Sequence, residues 1–300
     1  MQKVPIIMLA YNRPDHVMES IVALKEYKPE RLYLACDGPK EEKKGDTDLV
    51  YATQKAMYEA IDWSCEVKTL YRKSNLGCAK AVYEAITWFF EHEEYGIIIE
   101  DDVIVGQDFF KFCEELLPRY ANEDRIMEIA AQNHSMRKDI PNTYVYTQTS
   151  HCWGWATWKR AWKNMDMSMS ATKTISILNL VSRLGTLRGM MWWWYFKSAY
   201  RHLETFNSWA TRWYLSILSH DGLVICPGVN LAINIGTSGG VHYQDGDGNP
   251  YKNLIINKLE WPLIYNDLLL IDNKQAKYDK RDFLRVRMMG MKKKILKGLK

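Results

Sequence analysis

The sequence predicts an α/β fold: a mostly parallel sheet flanked by helices, in a single domain with a helical C-terminal extension. Three observations carry this. Short apolar runs alternate with amphipathic stretches through the first 130 residues, polar sequences stand at the ends of three of those runs, and no linker or repeat interrupts the 300-residue chain. Such alternation builds βαβ units, whose parallel sheets bind ligands at the carboxyl ends of their strands. A chain of this length buries roughly 75% of its unfolded surface, enough for one large domain.

The elements follow in order. Val4 to Ala10 reads as a strand ended by Tyr11-Asn12-Arg13-Pro14, after which Asp15 opens a helix with Val17, Ile21 and Leu24 on one face. Arg31 to Cys36 is a second strand, stopped by Asp37-Gly38-Pro39, and Leu49, Val50, Thr53, Met57, Ala60 and Ile61 mark the next helix. Glu66 to Leu70 is strand-like. Asn75-Leu76-Gly77 turns into a helix with Val82, Ala85, Ile86, Phe89 and Phe90 inward, and Gly96 to Ile99 is a strand buried on both faces. Beyond residue 130 the rhythm breaks. Tyr144 to Thr147, Leu223 to Cys226 and Leu231 to Ile235 read as strands, and His151 to Trp155 as an aromatic loop opening a helix from Ala156 to Trp162. Nine of the twelve tryptophans fall between Trp153 and Trp213. The expected organisation is a first half at 1–130, a second half of the same domain at 131–265, and a basic extension at 266–300.

Composition narrows the function. With 47% hydrophobic and 25% charged residues, wholesale disorder is excluded. No apolar run approaches the ~20 residues of a membrane-spanning helix, and the N-terminus lacks a secretory h-region. The formal charge of +4 is concentrated at the end of the chain, where residues 280–300 carry nine Lys or Arg against Asp282 alone, leaving the remainder acidic. A nucleic-acid binder would spread positive charge over a folded face, so none is expected as a partner. The six cysteines show no CxxC or zinc spacing, which suits a reducing, cytoplasmic location. No GxGxxG or GxxxxGK[ST] loop is present.

Glu100-Asp101-Asp102, at the end of a buried strand, is the sharpest signal. Three adjacent carboxylates repel one another, and a hard divalent cation, Mg²⁺ or Mn²⁺, compensates them while bridging to substrate phosphates. An acidic helix start is the alternative, but Val103-Ile104-Val105-Gly106 separates the triplet from a helix opening near Asp108.

Ile97-Ile98-Ile99-Glu100-Asp101-Asp102-Val103 followed by Asp108-Phe109-Phe110 resembles the metal-binding segment of N-acetylglucosaminyltransferase I-like enzymes. These are inverting, nucleotide-sugar-dependent glycosyltransferases of the GT-A (Rossmann-like) fold. Leu9-Ala10-Tyr11-Asn12-Arg13-Pro14 and Ala35-Cys36-Asp37-Gly38 resemble the family's first two nucleotide-contacting loops, and Asn75-Leu76-Gly77 fits bacterial relatives. The similarity covers residues 4 to about 165, and 205 to 243 more loosely. It implies that Asp102 is the metal ligand, that Asp101 and Glu100 approach the ribose or sugar, that Asp37 reads the base and that Arg13 holds the nucleotide loop. By itself Asp37 is equally a turn residue before Gly38-Pro39. Trp153-Gly154-Trp155, with Thr157 and Trp158, would form the floor under the sugar, although Trp158 and Trp162 also read as core. One or more of Trp192, Trp193 and Trp194 would line an acceptor groove. The Gly236-to-His242 segment resembles the mobile piece that closes over the diphosphate, with His242 a candidate second metal ligand.

One departure matters. Related sequences carry an Asp directly after the Trp that matches Trp209, and that carboxylate is the general base; here the position is Ala210, which cannot take a proton. Either another residue serves as base, with Glu204 and Asp221 the candidates, or the alanine is a substitution for the usual Asp, or the chain is a natural pseudoenzyme. Leu284, Met288, Met291, Ile295 and Leu299 recur at helical spacing among basic residues, so residues 280–300 would either lie on an anionic membrane surface or form a solvated basic end. The expected protein moves a sugar from a UDP-sugar to a glycan or lipid-linked glycan hydroxyl, in bacterial surface polysaccharide or glycan assembly, with peripheral attachment at the inner face of the plasma membrane. The alternatives are a non-catalytic nucleotide-sugar or glycan binding protein and a sugar nucleotidyltransferase, the latter disfavoured because no Gly-rich phosphate signature follows the first strand.

Overall fold

The computed structural model describes residues 3–135, 137, 139–140, 143–236, 251 and 253–298, with side chains to residue 289. Its centre is an 8-stranded sheet in the order β3-β2-β1-β4-β8-β6-β9-β7. The strands are β1 Ile6–Ala10, β2 Arg31–Cys36, β3 Glu66–Tyr71, β4 Tyr95–Glu100, β6 Ile126–Ala130, β7 Tyr144–Thr147, β8 Trp155–Trp158 and β9 Leu223–Pro227. The pairs β1/β2, β1/β4, β2/β3 and β6/β9 are parallel, and β8 and β7 run against their neighbours. β1, β2, β3, β4, β6 and β9 therefore all point one way. Their carboxyl ends form one edge of the sheet, joined there by the start of β8.

The crossovers are α1 Pro14–Tyr27, α2 Asp46–Glu59, α3 Cys78–His92 and α4 Gln107–Arg119. Each buries one apolar face: α1 through Val17, Ile21 and Leu24, and α3 through Ala85, Ile86, Phe89 and Phe90. Strands covered on both faces have no polar side to show, hence Ile97, Ile98 and Ile99 in a row, all buried. Two short strands, β5 Val103–Val105 and β10 Ala232–Asn234, form a separate antiparallel ribbon just past β4. A smaller core gathers on α6 Ile177–Leu184, α7 Thr186–Arg201 and α8 Trp209–Ser219, around Leu180, Phe196, Tyr214 and Leu218.

Several expectations need correction. Residues 156–158 are not the start of a helix: β8 sits between β4 and β6, pairing Ile98 with Trp155 and Ala130 with Trp155, and only Lys159–Trp162 turn helically (α5). A short run buried on both faces cannot be assigned to strand or helix by periodicity alone, and here the two flanking ladders decide. The helix expected near Asp108 opens at Gln107, as read, but the Asp108 side chain caps nothing there. Its carboxylate instead accepts from the Leu259 N–H and the Trp261 Nε1–H, fastening a distant segment. The terminal helix, α9 Asn273–Gly298, is no free tail over its first turns, since Gln275 and Asp279 are buried against the body.

Candidate active site

The carboxyl edge of the sheet gathers the sequence motifs. The loop after β1 is built on Asp46 at the start of α2. This fully buried carboxylate accepts from the Tyr11 hydroxyl, Asn12 Nδ2 (2.5 Å), the Lys40 N–H (2.9 Å) and Lys43 Nζ (3.0 Å). Burial alone would raise its pKa, but these donors hold it well below the usual carboxylate range. Sequence reasoning missed Asp46 because its work is done across 34 residues of chain.

Asp37 ties two loops together. Its two oxygens accept from the backbone N–H of Gly38 (2.9 Å), Leu76 (3.0 Å) and Gly77 (3.2 Å), binding the 75–77 loop to the end of β2. The carboxylate thus shapes the wall, and its two oxygens have further acceptor capacity beyond these three donors. Burial raises its pKa and the three amides oppose that. Asn75 reinforces the join through Nδ2 to the Gly38 carbonyl (2.9 Å), and Gly77 needs its φ of +79° to turn into α3. A small cleft between β1, β2 and α3 is lined by Leu9, Ala10, Asp37 and Arg72.

The triplet lies at the end of β4. Asp101 accepts from the Tyr11 N–H at 3.3 Å, and its backbone carbonyl accepts from Ser20 Oγ. Arg13 Nη1 stands 2.8 Å from Asp102 Oδ2 and 3.8 Å from Asp101 Oδ1. The β5/β10 ribbon brings Asn234 Nδ2 to within 3.0 Å of Asp102 Oδ1. Gly236 packs so closely that a Cβ there would fall 2.1 Å from Asp102 Oδ2. Glu100 is pushed well above the usual range by burial and then by Asp102 and Asp101, and Asp101 is pushed up to about 7 by burial and Asp102. Burial pulls the Arg13 guanidinium down, but Asp101 and Asp102 outweigh it and raise it.

Three carboxylates against one guanidinium leave negative charge uncompensated in a desolvated place, and all the facing atoms are hard oxygens. That chemistry fits Mg²⁺ or Mn²⁺, which take one or two carboxylates together with substrate phosphates and water. Among the described residues no three His, Cys, Asp or Glu side chains form a complete metal cage. His242 lies outside the described residues.

The tryptophans divide. Trp153 is half-buried beside His134, with ring centroids 5.9 Å apart, and Gly154 turns at φ +72° against Val105. Trp155 and Thr157 lie in the core, as does Trp158 in line with its core reading: each is almost completely buried within β8. Trp209 is equally enclosed. Trp192 lines a cavity, whereas Trp194 faces out.

Ala210 lines that same cavity, together with His134, His151, Arg188 and Asp279. Neither candidate substitute base reaches it. Glu204 is exposed on the turn after α7 and is not among the lining residues. Asp221 precedes β9, at the opposite edge of the sheet from the triplet, where it meets Arg183 (3.3 Å) and Gln148 (3.2 Å). His134, His151 and Arg188 were not picked out as site residues because they stand singly in the sequence, with no spacing that marks them.

No family model matches the chain, and no curated protein matches it. Solved structures with some likeness include HddC from Yersinia pseudotuberculosis (12% identity, 52% of this chain and 77% of that one, TM-score 0.32). The inositol-1-phosphate CTP transferase from T. maritima gives 12% identity, 54% and 74% coverage and a TM-score of 0.31. Mouse xyloside xylosyltransferase 1 gives 8% identity, 72% and 81% coverage and a TM-score of 0.36.

Proposed function

We propose that the protein is a metal-dependent, inverting glycosyltransferase that moves a sugar from a UDP-sugar to a glycan hydroxyl. One observation carries this: five separate segments, at 11–13, 37–38, 75–77, 100–102 and 234–236, converge on one sheet edge around an under-neutralised acidic triplet. Asp102 would hold Mn²⁺ or Mg²⁺, which supplies charge stabilisation for a departing diphosphate. Arg13, drawn to Asp102 and Asp101, is placed to exchange part of that pairing for phosphate oxygens. The 75–77 loop, pinned by Asp37, shapes the nucleotide cleft. Trp153 offers its ring beside the sugar position.

Ala210 gives weight to a second reading, a non-catalytic nucleotide-sugar or glycan binding protein, because no carboxylate occupies the place where a base is expected. Turnover separates the two. The full chain with Mn²⁺ is assayed for UDP release from UDP-glucose, UDP-galactose and UDP-N-acetylglucosamine with simple glycoside acceptors. UDP binding with release supports the transferase; binding without release favours the binding protein; no divalent-dependent UDP binding overturns both.

No helix among the described residues is long and apolar enough to cross a membrane. We further propose that residues 280–300 attach the protein to an anionic membrane surface, at the inner face of the plasma membrane, where a lipid-linked acceptor is met. Vesicle co-sedimentation with and without anionic lipid checks this, and binding independent of lipid charge contradicts it.

A further inference from the structure

A cavity of about 260 Å³ opens between the 149–152 loop, the first turn of α8 and the inward side of α9. Trp192, Tyr214, Tyr251 and Phe283 line it. Two buried donors in its walls, Arg188 Nε and Trp192 Nε1, have no hydrogen-bond partner among the described residues. A buried donor left unmade costs about 1–3 kcal/mol, so both suit the oxygens of a hydroxylated ligand whose apolar faces the rings would cover. The volume is just below the ~300 Å³ lower end of small-molecule pockets and fits one terminal sugar residue.

Two histidines stand in this cavity, and their hydrogen bonding sets them apart. Gln132 Oε1 accepts from the Trp153 N–H at 3.2 Å, which turns the amide nitrogen of Gln132 toward His134 Nε2, 2.9 Å away. That ring nitrogen must accept, so the proton of His134 sits on Nδ1, facing Asp282 Oδ2 at 3.6 Å. Its Nδ1 makes no hydrogen bond among the described residues, so His134 is held through Nε2. His151 is not held in this way: neither ring nitrogen has a hydrogen-bond partner among the described residues, and neither is sealed from the cavity. Its backbone N–H is fixed to Glu128 at 2.8 Å, and Glu128 is itself fixed by Ser150 and Trp213.

One wall of the cavity lies within electrostatic reach of the triplet. Cys152, in its wall, has its thiol pushed up by burial and then by Glu100, and Gly154 packs on Val105 and Val103 immediately beyond Asp102. On the other side Asn207 ties the approach to α8 to the Ala79 N–H, at 2.8 Å, beside the nucleotide loop.

We propose that this cavity holds the acceptor sugar and that His151 is the general base of the transfer, replacing the carboxylate absent at Ala210; the inference rests on the glycosyl-transfer reading above. The acceptor O–H gives its proton to the open ring nitrogen while its oxygen forms the bond to the anomeric carbon. The bond from that carbon to the diphosphate oxygen breaks, and its electron pair leaves with UDP. The imidazolium then returns its proton to solvent. Burial and His134 lower the His151 pKa to about 4, so the imidazole is neutral and able to accept at neutral pH. Asp279 and Asp282 face it and favour the positive charge that forms, while Arg188 opposes it.

The test compares kcat, its pH profile and UDP affinity for the full wild-type chain, His151→Ala and His151→Gln, with Mn²⁺ and the donor that turns over. The expected result is a 10²–10⁴-fold lower kcat in both variants, unchanged UDP affinity, loss of the acidic limb of the pH profile, and partial recovery of His151→Ala by added imidazole. Glutamine keeps the size and polarity of the site but cannot take the proton, so it serves if the alanine variant does not fold. Activity within about tenfold of wild type overturns the proposal, as does a fall in kcat that neither imidazole nor pH modifies. A wild-type protein that binds no UDP, or releases none, marks failure of the transferase reading instead.

Discussion

The indole of Trp155 stacks on that of Trp209, with ring centroids 5.6 Å apart and 18° between their planes. This contact fastens the centre of the sheet to the first turn of α8 and so fixes Ala210, the next residue, in the cavity wall. Trp162 and Trp213 close around the pair at 6.1 and 5.7 Å from Trp155. The rings thus support the cavity wall at Ala210.

Replacing Trp209 by alanine removes a buried ring from that stack. The expected cost is about 3–5 kcal/mol of stability, as for other large-to-small core changes, read as a lower urea midpoint. Trp209→Phe, which keeps an aromatic face, should lose markedly less. Equal losses for the two would show that stacking is not what holds α8.

Asp102→Asn separates binding from stability. UDP affinity should lose its dependence on Mn²⁺ in calorimetry, because the metal loses its carboxylate. The melting temperature should stay level or rise, since Asp102 is a cause of the raised pKa of both Glu100 and Asp101 and its charge is removed. A strongly destabilised variant would contradict this account of the repulsion.

Gly236→Ala places a methyl group where Asp102 Oδ2 now lies. That carboxylate is held by Arg13 on one side and Asn234 on the other, so it can withdraw only by giving up one of them. UDP affinity in the presence of Mn²⁺ should fall by roughly tenfold, equivalent to 1.4 kcal/mol. Gly222→Ala, away from the triplet, should leave that affinity unchanged.

Two buried groups give pH dependences of opposite sign. Burial raises Glu128 from its ordinary 4.5 to about 7, so the stability it contributes is complete below 4.5 and lost as pH rises through 7. Burial and then His134 lower His151 from 6.5 to about 4, so its contribution is present above 6.5 and lost as pH falls through 4. In urea unfolding from pH 4 to 8, His151→Gln should flatten the acid side relative to wild type, and Glu128→Gln the neutral side. Curves parallel to wild type would place both titrations elsewhere.

The first half of the fold was legible because each βα unit writes its own signals. β2 ends at Cys36 as expected since Asp37-Gly38-Pro39 stops it, and the triplet is visible as three acids after three isoleucines. β8 was not legible: Trp155, Ala156, Thr157 and Trp158 become a strand only because β4 and β6 offer ladders on both sides. The site divides along the same line. Tyr11, Arg13 and Asp102 act within their own loops and could be picked out, whereas Asp46 under Tyr11, or His151 across from Asp279, depends on contacts between distant parts of the chain. Asp221 failed for a directional reason, since a turn leading into a parallel strand lies at the far edge from one leaving it.

α9 does two jobs with one rod. At about 1.5 Å per residue, its 26 residues span roughly 39 Å, with Asp279, Asp282 and Phe283 forming part of the cavity near one end and most of the cationic residues toward the other. Because a continuous helix transmits tilt along its whole length, whatever grips the cationic end also sets the direction in which the cavity mouth faces. Shortening the chain before residue 273 would therefore unroof the pocket, whereas stopping at 290 would leave it closed.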